Sequence, residues 1–182
     1  MTSADTGTKE KIAETLASIR TESGANLLAL AEASPVLLVF LRHFGCPFCR
    51  QMIDDVGGLR GQLEERGVRP VFVHQGTPEV AQATFDYYRF GDVERIHDPQ
   101  AAIYRHPLFM LGRMSPARQM LKPAVWLGWL KGAVRKYGIG EVHGDSSQMA
   151  GVFLLKDAKI VRKFIHRSMA DQPDYLRLIR LD

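Results

Sequence analysis

Hydrophobic positions along this chain change their spacing several times, and each change marks an element. Between residues 8 and 20, Ile12, Leu16 and Ile19 recur at helical spacing with Ala13 and Ala17 beside them, while residues 1–7 are small and polar and read as frayed. Leu27, Leu28 and Leu30 predict a second short helix ending near Ser34 and Pro35. Residues 36–41 form an unbroken apolar run rich in β-branched and aromatic side chains, which suits a strand buried on both faces. Beyond it, Met52, Val56, Leu59 and Leu63 make a stripe that carries a helix toward Arg66. Gly57 and Gly58 each cost that helix about 1 kcal/mol relative to alanine, so a break is expected there, with Gly67 as a C-terminal cap.

The alternation continues. Residues 68–74 predict a strand, and Thr77-Pro78-Glu79 opens a helix with a capping hydroxyl followed by proline. Residues 93–97 predict a short strand ending at Asp98-Pro99, with a brief helix through Tyr104. Residues 151–155 and 160–165 predict a hairpin closed by Lys156-Asp157-Ala158-Lys159. Asp171 is expected to cap a last helix with Pro173 in its first turn and Tyr175, Leu176 and Ile179 on its buried side. Strand, helix, strand, helix, strand, hairpin, helix is a three-layer α/β order. It occupies residues 35–182, preceded by a helical extension over 1–34.

Composition adds little until charge is mapped. Hydrophobic residues make up 46% and charged residues 24%, as in ordinary globular proteins, and the net charge is only +4. Residues 105–140, however, hold seven Lys or Arg, no Asp or Glu, and both tryptophans, Trp126 and Trp129. The remainder therefore carries about three net negative charges. This basic insert reads in three ways: a helical subdomain packed on the sheet, a lid giving the site an apolar wall, or an amphipathic contact with a membrane surface or a partner protein. No nucleic-acid-binding motif accompanies the charge.

Two cysteines are present, and both lie in Cys46-Pro47-Phe48-Cys49, directly after the first strand and a short loop of Arg42, His43, Phe44 and Gly45. A strand, a tight loop and a Cys-x-x-Cys opening a helix is the layout of a redox-active dithiol. The unpaired N–H groups of the first helical turn favour a thiolate, as do flanking cations, here Arg42 and Arg50. A zinc site would need a second ligand pair that the spacing does not supply; two inert buried cysteines are the other alternative. Confinement of both cysteines to one motif points to a reducing compartment. With no secretory pattern at the start and no apolar run of roughly 18 residues, the expectation is a cytoplasmic protein.

The strings VFLRHFGCPFCRQ, HDPQAAIYRHPL and GDSSQMAGVFLL resemble the peroxiredoxin-like branch of the alkyl hydroperoxide reductase/thiol-specific antioxidant (AhpC/TSA) family, in a version with a CxxC motif, and are similar to selenoprotein-L-related redox proteins. The resemblance implies a thioredoxin-like α/β/α fold with a central mixed sheet, into which the helical segment 105–140 is inserted. It implies thiol chemistry on a small peroxide or disulfide, with no cofactor and no metal, and an external reductant of thioredoxin, glutaredoxin or glutathione type. Cys46 is then the exposed nucleophile, Cys49 the resolving cysteine and Arg42 the thiolate's cation, with His43, Phe44, Pro47, Phe48 and Gln148 lining the site. In a peroxiredoxin phase Cys49 would instead take the attacking place. Asp98 and Tyr104 are expected to shape the fold. Two departures stand out: residues 147–150 lack the proline that thioredoxins place opposite the dithiol, and a cysteine stands where peroxiredoxins carry threonine. A redox-sensing or binding module, in which the dithiol switches the basic insert without turnover, is the reading from another class.

Overall fold

Alternation along one strand sets the layers. The structure, a computed structural model, describes residues 3–130 and 133–181. Strand β1 (Val36–Phe40) has every residue buried. Leu37 and Val39 enter one hydrophobic cluster, while Val36, Leu38 and Phe40 enter the other. β1 pairs in parallel with β2 (Arg69–His74), which pairs in parallel with β3 (Glu94–His97). On its other side β1 meets β4 (Gly151–Lys156) antiparallel, and β4 continues into β5 (Lys159–Ile165). The sheet is thus mixed, in the order β3-β2-β1-β4-β5.

On one face pack α3 (Pro47–Gly58), α4 (Arg60–Glu65) and α5 (Pro78–Tyr87), through Met52, Ile53, Val56, Leu63, Ala81 and Phe85. On the other lie α1 (Ser3–Ser18), α2 (Leu27–Ala33) and α6 (Ala102–Arg105), through Leu16, Leu27, Leu30 and Tyr104. This is the three-layer α/β/α arrangement expected from the element order. The break after Gly58 separates α3 from α4, and Gly67 takes the left-handed conformation that ends α4 (φ +62°). Thr77 caps α5 by accepting from the amide of Val80, with Pro78 in its first turn.

Between α6 and β4 run three short helices, α7 (Pro116–Met120), α8 (Pro123–Leu130) and α9 (Ala133–Tyr137). Lys131 lies outside the described residues. Much of the local charge is engaged: Arg113 pairs with Asp145 and Lys136 with Asp54, each at 2.8 Å. Among the described residues no helix is long and apolar enough to cross a membrane.

Four sequence expectations are corrected. α1 begins at Ser3, so residues 3–7 are helical rather than frayed, and residues 1–2 lie outside the described residues. The last helix, α10 (Tyr175–Leu178), is capped by Asp174, which accepts from the amide of Arg177. Asp171 instead accepts from the amides of Arg167 and Ser168 and closes the turn before it, so Pro173 precedes the helix. Leu176 consequently faces solvent, while Tyr175 and Ile179 are buried as expected.

Tyr104 and Asp98 do shape the fold. Asp98 receives the amides of Ala102 and Ile103 at 2.9 and 2.7 Å and so caps α6. The buried Tyr104 hydroxyl reaches the carbonyls of Leu41 and Val73 at 2.6 and 2.8 Å, tying together the ends of β1 and β2. Replacing Tyr104 with Phe leaves the ring in place and removes only that tie. The expected result in denaturant unfolding is a loss of about 1–2 kcal/mol, with the count of free thiols unchanged.

Candidate active site

β1 delivers the site at its carboxyl end, where open α/β sheets place reactive groups. Four loop residues follow Leu41 before the chain enters α3. Cys46 is the N-cap of that helix, in extended conformation (φ −81°, ψ 121°), and Pro47 occupies the first turn, where its missing N–H is harmless. The loop has no slack. The carbonyl oxygens of Gly140 and Glu141 lie 2.4 Å from where a Cβ on Gly45 would stand, and the amide of Gly140 donates to the Gly45 carbonyl. Arg50 braces the same loop, donating to the carbonyls of Phe44 (2.7 Å) and Tyr137 (2.8 Å). Of the two flanking arginines, it is therefore Arg42 that serves the sulfur.

The Arg42 side chain is buried and its guanidinium is shared three ways. Nη1 donates to Cys46 Sγ at 3.4 Å, Nη2 to the Ser146 carbonyl at 2.6 Å, and Nε to the Gln148 carbonyl at 3.1 Å. Its main-chain amide donates to Cys49 Sγ at 3.3 Å. Its own carbonyl accepts from Gln75 Nε2 at 2.7 Å, and Gln75 Oε1 in turn accepts from the main-chain amide of Asp145. One residue thus touches both sulfurs and the loop that leads into β4.

The two thiols are free and unequal. A hydrogen bond donated by Cys49 pulls the Cys46 thiol well below the ordinary thiol range; burial opposes this, and Arg42 and the amides of Cys49 and Phe48 reinforce it. Burial pushes the Cys49 thiol up, and its hydrogen bond to Cys46 and the neighbouring negative charge push it further. This is the pattern of a thiolate held by a protonated partner three residues on. The expectation that Cys46 would be distinguished by exposure is corrected: it is 3% exposed and Cys49 is 1% exposed. Hydrogen bonding and charge separate the pair, because the helix N-terminus and Arg42 both converge on the first sulfur.

Above Cys46 opens an apolar cavity of about 250 Å³. Cys46, Pro47 and Phe48 line it together with His43, and Trp129, Ile139, Val142 and Met169 face them. Two sequence-named lining residues lie elsewhere. Phe44 packs into the core against His74 and Phe85 because Gly76 leaves it room. Gln148 is fully buried with its amide donating to the carbonyls of Leu111 and Gly112, so it meets the site only through its own main-chain carbonyl. His43 lies in the cavity wall with Nδ1 unpartnered; burial first, and then Arg42, His143 and Arg50, lower its pKa to about 4 and keep it neutral at physiological pH. Gln75, Ser146 and Met169 join the site without a sequence signal, since each arrives from a distant segment, whereas Trp129 comes from the basic segment in which the sequence offered a lid as one reading.

No protein-family model matches this chain, and no curated protein matches it in sequence. Solved structures do. A peroxiredoxin Q of Xanthomonas campestris superposes with a TM-score of 0.57 at 13% identity, over 84% of this chain and 81% of that one. The peroxidoxin BcpB of Mycobacterium tuberculosis gives 0.53 at 15%, over 84% and 82%. A secreted Mycobacterium tuberculosis disulfide oxidoreductase homologous to DsbE of E. coli gives 0.52 at 16%, over 90% and 93%. At these identities the likeness is one of architecture, and the chain has the thioredoxin-like α/β/α fold.

Proposed function

We propose that this protein is a peroxiredoxin-like thiol oxidoreductase in which Cys46 attacks, Cys49 resolves and a small peroxide is the preferred substrate. The observation that carries the reading is the placement of the Cys46 sulfur, at a helix N-terminus and accepting a hydrogen bond from the Arg42 guanidinium; the neighbouring Cys49 thiol lowers its pKa, more than Arg42 does. The Cys46 thiolate attacks one oxygen of the O–O bond, giving Cys46 sulfenic acid and an alkoxide or hydroxide that takes a proton to leave as alcohol or water. The Cys49 thiol then condenses with the sulfenic acid, expelling water and forming the Cys46–Cys49 disulfide. An external thiol reductant of thioredoxin, glutaredoxin or glutathione type returns both thiols by exchange.

Peroxide is favoured over a protein disulfide for steric reasons. Both sulfurs are buried, and the cavity that reaches Cys46 has an apolar wall with room for a small molecule. The Gln148 carbonyl, in the loop where thioredoxins present a substrate-facing proline, is occupied by Arg42. That leaves little main chain for an extended peptide to pair with.

The test is stopped-flow reaction of the reduced protein with hydrogen peroxide and an alkyl hydroperoxide. The native chain is expected to lose both thiols far faster than free cysteine does. Cys49→Ser should stop at a sulfenic acid formed at the native rate, and Cys46→Ser should be inert. Reaction no faster than free cysteine in all three would end the peroxidase reading. Arg42→Lys keeps the charge but loses the forked geometry, and a roughly tenfold or greater fall in the peroxide rate is expected, in line with the 1.5–3 kcal/mol of a hydrogen bond to a charged group.

The pH profile follows from the direction of the Cys46 shift. The thiolate is the reactive form and its pKa is lowered, so the rate is expected to be flat from neutral pH upward and to fall as acid protonates Cys46. A rate that rises through the ordinary thiol range, measured by the same stopped-flow assay, would mean that Cys46 is not held as a thiolate.

A further inference from the structure

Helix α8 reads PAVWLGWL and is apolar all round, yet only part of it is covered. Val125 is fully buried, Gly128 lies so close to Phe48 that a Cβ would meet the ring at 2.7 Å, and Trp129 faces the Cys46 cavity. The uncovered part carries Trp126, Leu127 and Leu130, which are 51%, 56% and 83% exposed. Leu121, just ahead of the helix, is exposed as well. Trp126 is not loose: its indole N–H donates to the Met120 carbonyl at 2.9 Å, and its ring lies 5.3 Å from that of Trp129. Ile139 and Val142, which wall the cavity, are themselves exposed at its rim. A cluster of large apolar side chains of this kind is not ordinary monomer surface and marks a contact.

Charge identifies the kind of surface it meets. Residues 105–140 contain no acidic side chain. Arg113 and Lys136 are paired with Asp145 and Asp54, and Lys122 donates to the Arg167 carbonyl. Arg118 on α7 and Arg135 on α9, the helices that flank α8, are exposed, and among the described residues neither has an ion pair. Glu141, beside Val142 at the rim, is acidic and lies 3.9 Å from His143; Asp171, next to Ala170 under α8, accepts from the amides of Arg167 and Ser168. Exposed tryptophan and leucine on a helix whose neighbours α7 and α9 carry exposed arginines complement a surface that is apolar within and anionic at its face. A second copy of this chain fits less well, because a two-fold contact through α8 would bring like-charged arginines together.

We propose that α8 and the rim of the Cys46 cavity dock this protein on a lipid bilayer containing anionic lipid. Trp126, Leu127 and Leu130 enter the interface, and Arg118 and Arg135 meet the headgroups. The cavity mouth then opens toward the lipid. The docking does not rest on the redox reading, since it is read without turnover.

The experiment is flotation of the native chain with phosphatidylcholine vesicles, with and without phosphatidylserine, followed also by tryptophan fluorescence. Binding with a blue shift is expected only when phosphatidylserine is present, and it should weaken as salt is raised. Leu127→Glu/Leu130→Glu and Arg118→Glu/Arg135→Glu should each weaken binding about tenfold or more. Circular dichroism and a thiol count on each variant guard against misfolding. The proposal is overturned if the native chain ignores phosphatidylserine vesicles, or if both double variants float as the native chain does. It is equally overturned if sedimentation shows a dimer that the leucine pair breaks while vesicles go unbound.

Discussion

A buried guanidinium is costly unless each of its nitrogens finds an acceptor, and in this fold the solution to that problem is the site itself. Arg42 sits where β1 runs out, and its side-chain donors reach Cys46, Ser146 and Gln148. Two of those partners belong to the loop that leads into β4, the strand antiparallel to β1. The cation therefore holds the dithiol loop and the opposing loop at a fixed separation, and its positive charge settles on the first sulfur. Thioredoxins place a proline in that opposing loop. Here a side chain from the dithiol side reaches across instead, and no cis peptide is present among the described residues.

Support for this arrangement comes from both faces of the sheet. On the motif side, Arg50 and the crossing of residues 138–141 over Gly45 fix the loop against α9. On the far side, Tyr104 ties Leu41 to Val73 directly beneath the loop. The segment ahead of β1 contributes as well: Glu22 accepts from Arg95 at 2.9 Å and meets His74 at 2.8 Å, which anchors it to β3 and to the carboxyl end of β2. The Cys46 environment is thus built at strand ends, from side chains that bind the main-chain carbonyls exposed there.

What the sequence disclosed follows from how local each signal is. The apolar run of β1, the Thr77-Pro78 cap, the break at Gly58 and the Cys-x-x-Cys spacing depend on near neighbours, and each appears where the pattern puts it. Asp171 and Asp174 are both good capping residues three positions apart, and only the path of the turn after β5 decides between them. Gln148 stands beside the missing proline in the chain, which points it to the site, but its side chain is claimed by the carbonyls of Leu111 and Gly112. The burial of Cys46 is illegible for the same reason, since the residues that cover it, Trp129, Val142 and Met169, arrive from distant segments of the chain. The basic, tryptophan-containing segment 105–140 is visible as a composition, whereas the division of labour between Trp129 in the cavity and Trp126 at the surface requires the packing of α8.

With the thiolate on Cys46 and Cys49 keeping its proton beside it, thiolate absorbance in the far ultraviolet, followed against pH in the native chain and in Cys46→Ser and Cys49→Ser, separates the two sulfurs. The expected result is a transition below the ordinary thiol range in the native protein, lost in Cys46→Ser and retained in Cys49→Ser, where a hydroxyl still donates. A low transition that survives in Cys46→Ser and vanishes in Cys49→Ser would place the thiolate on the second cysteine instead.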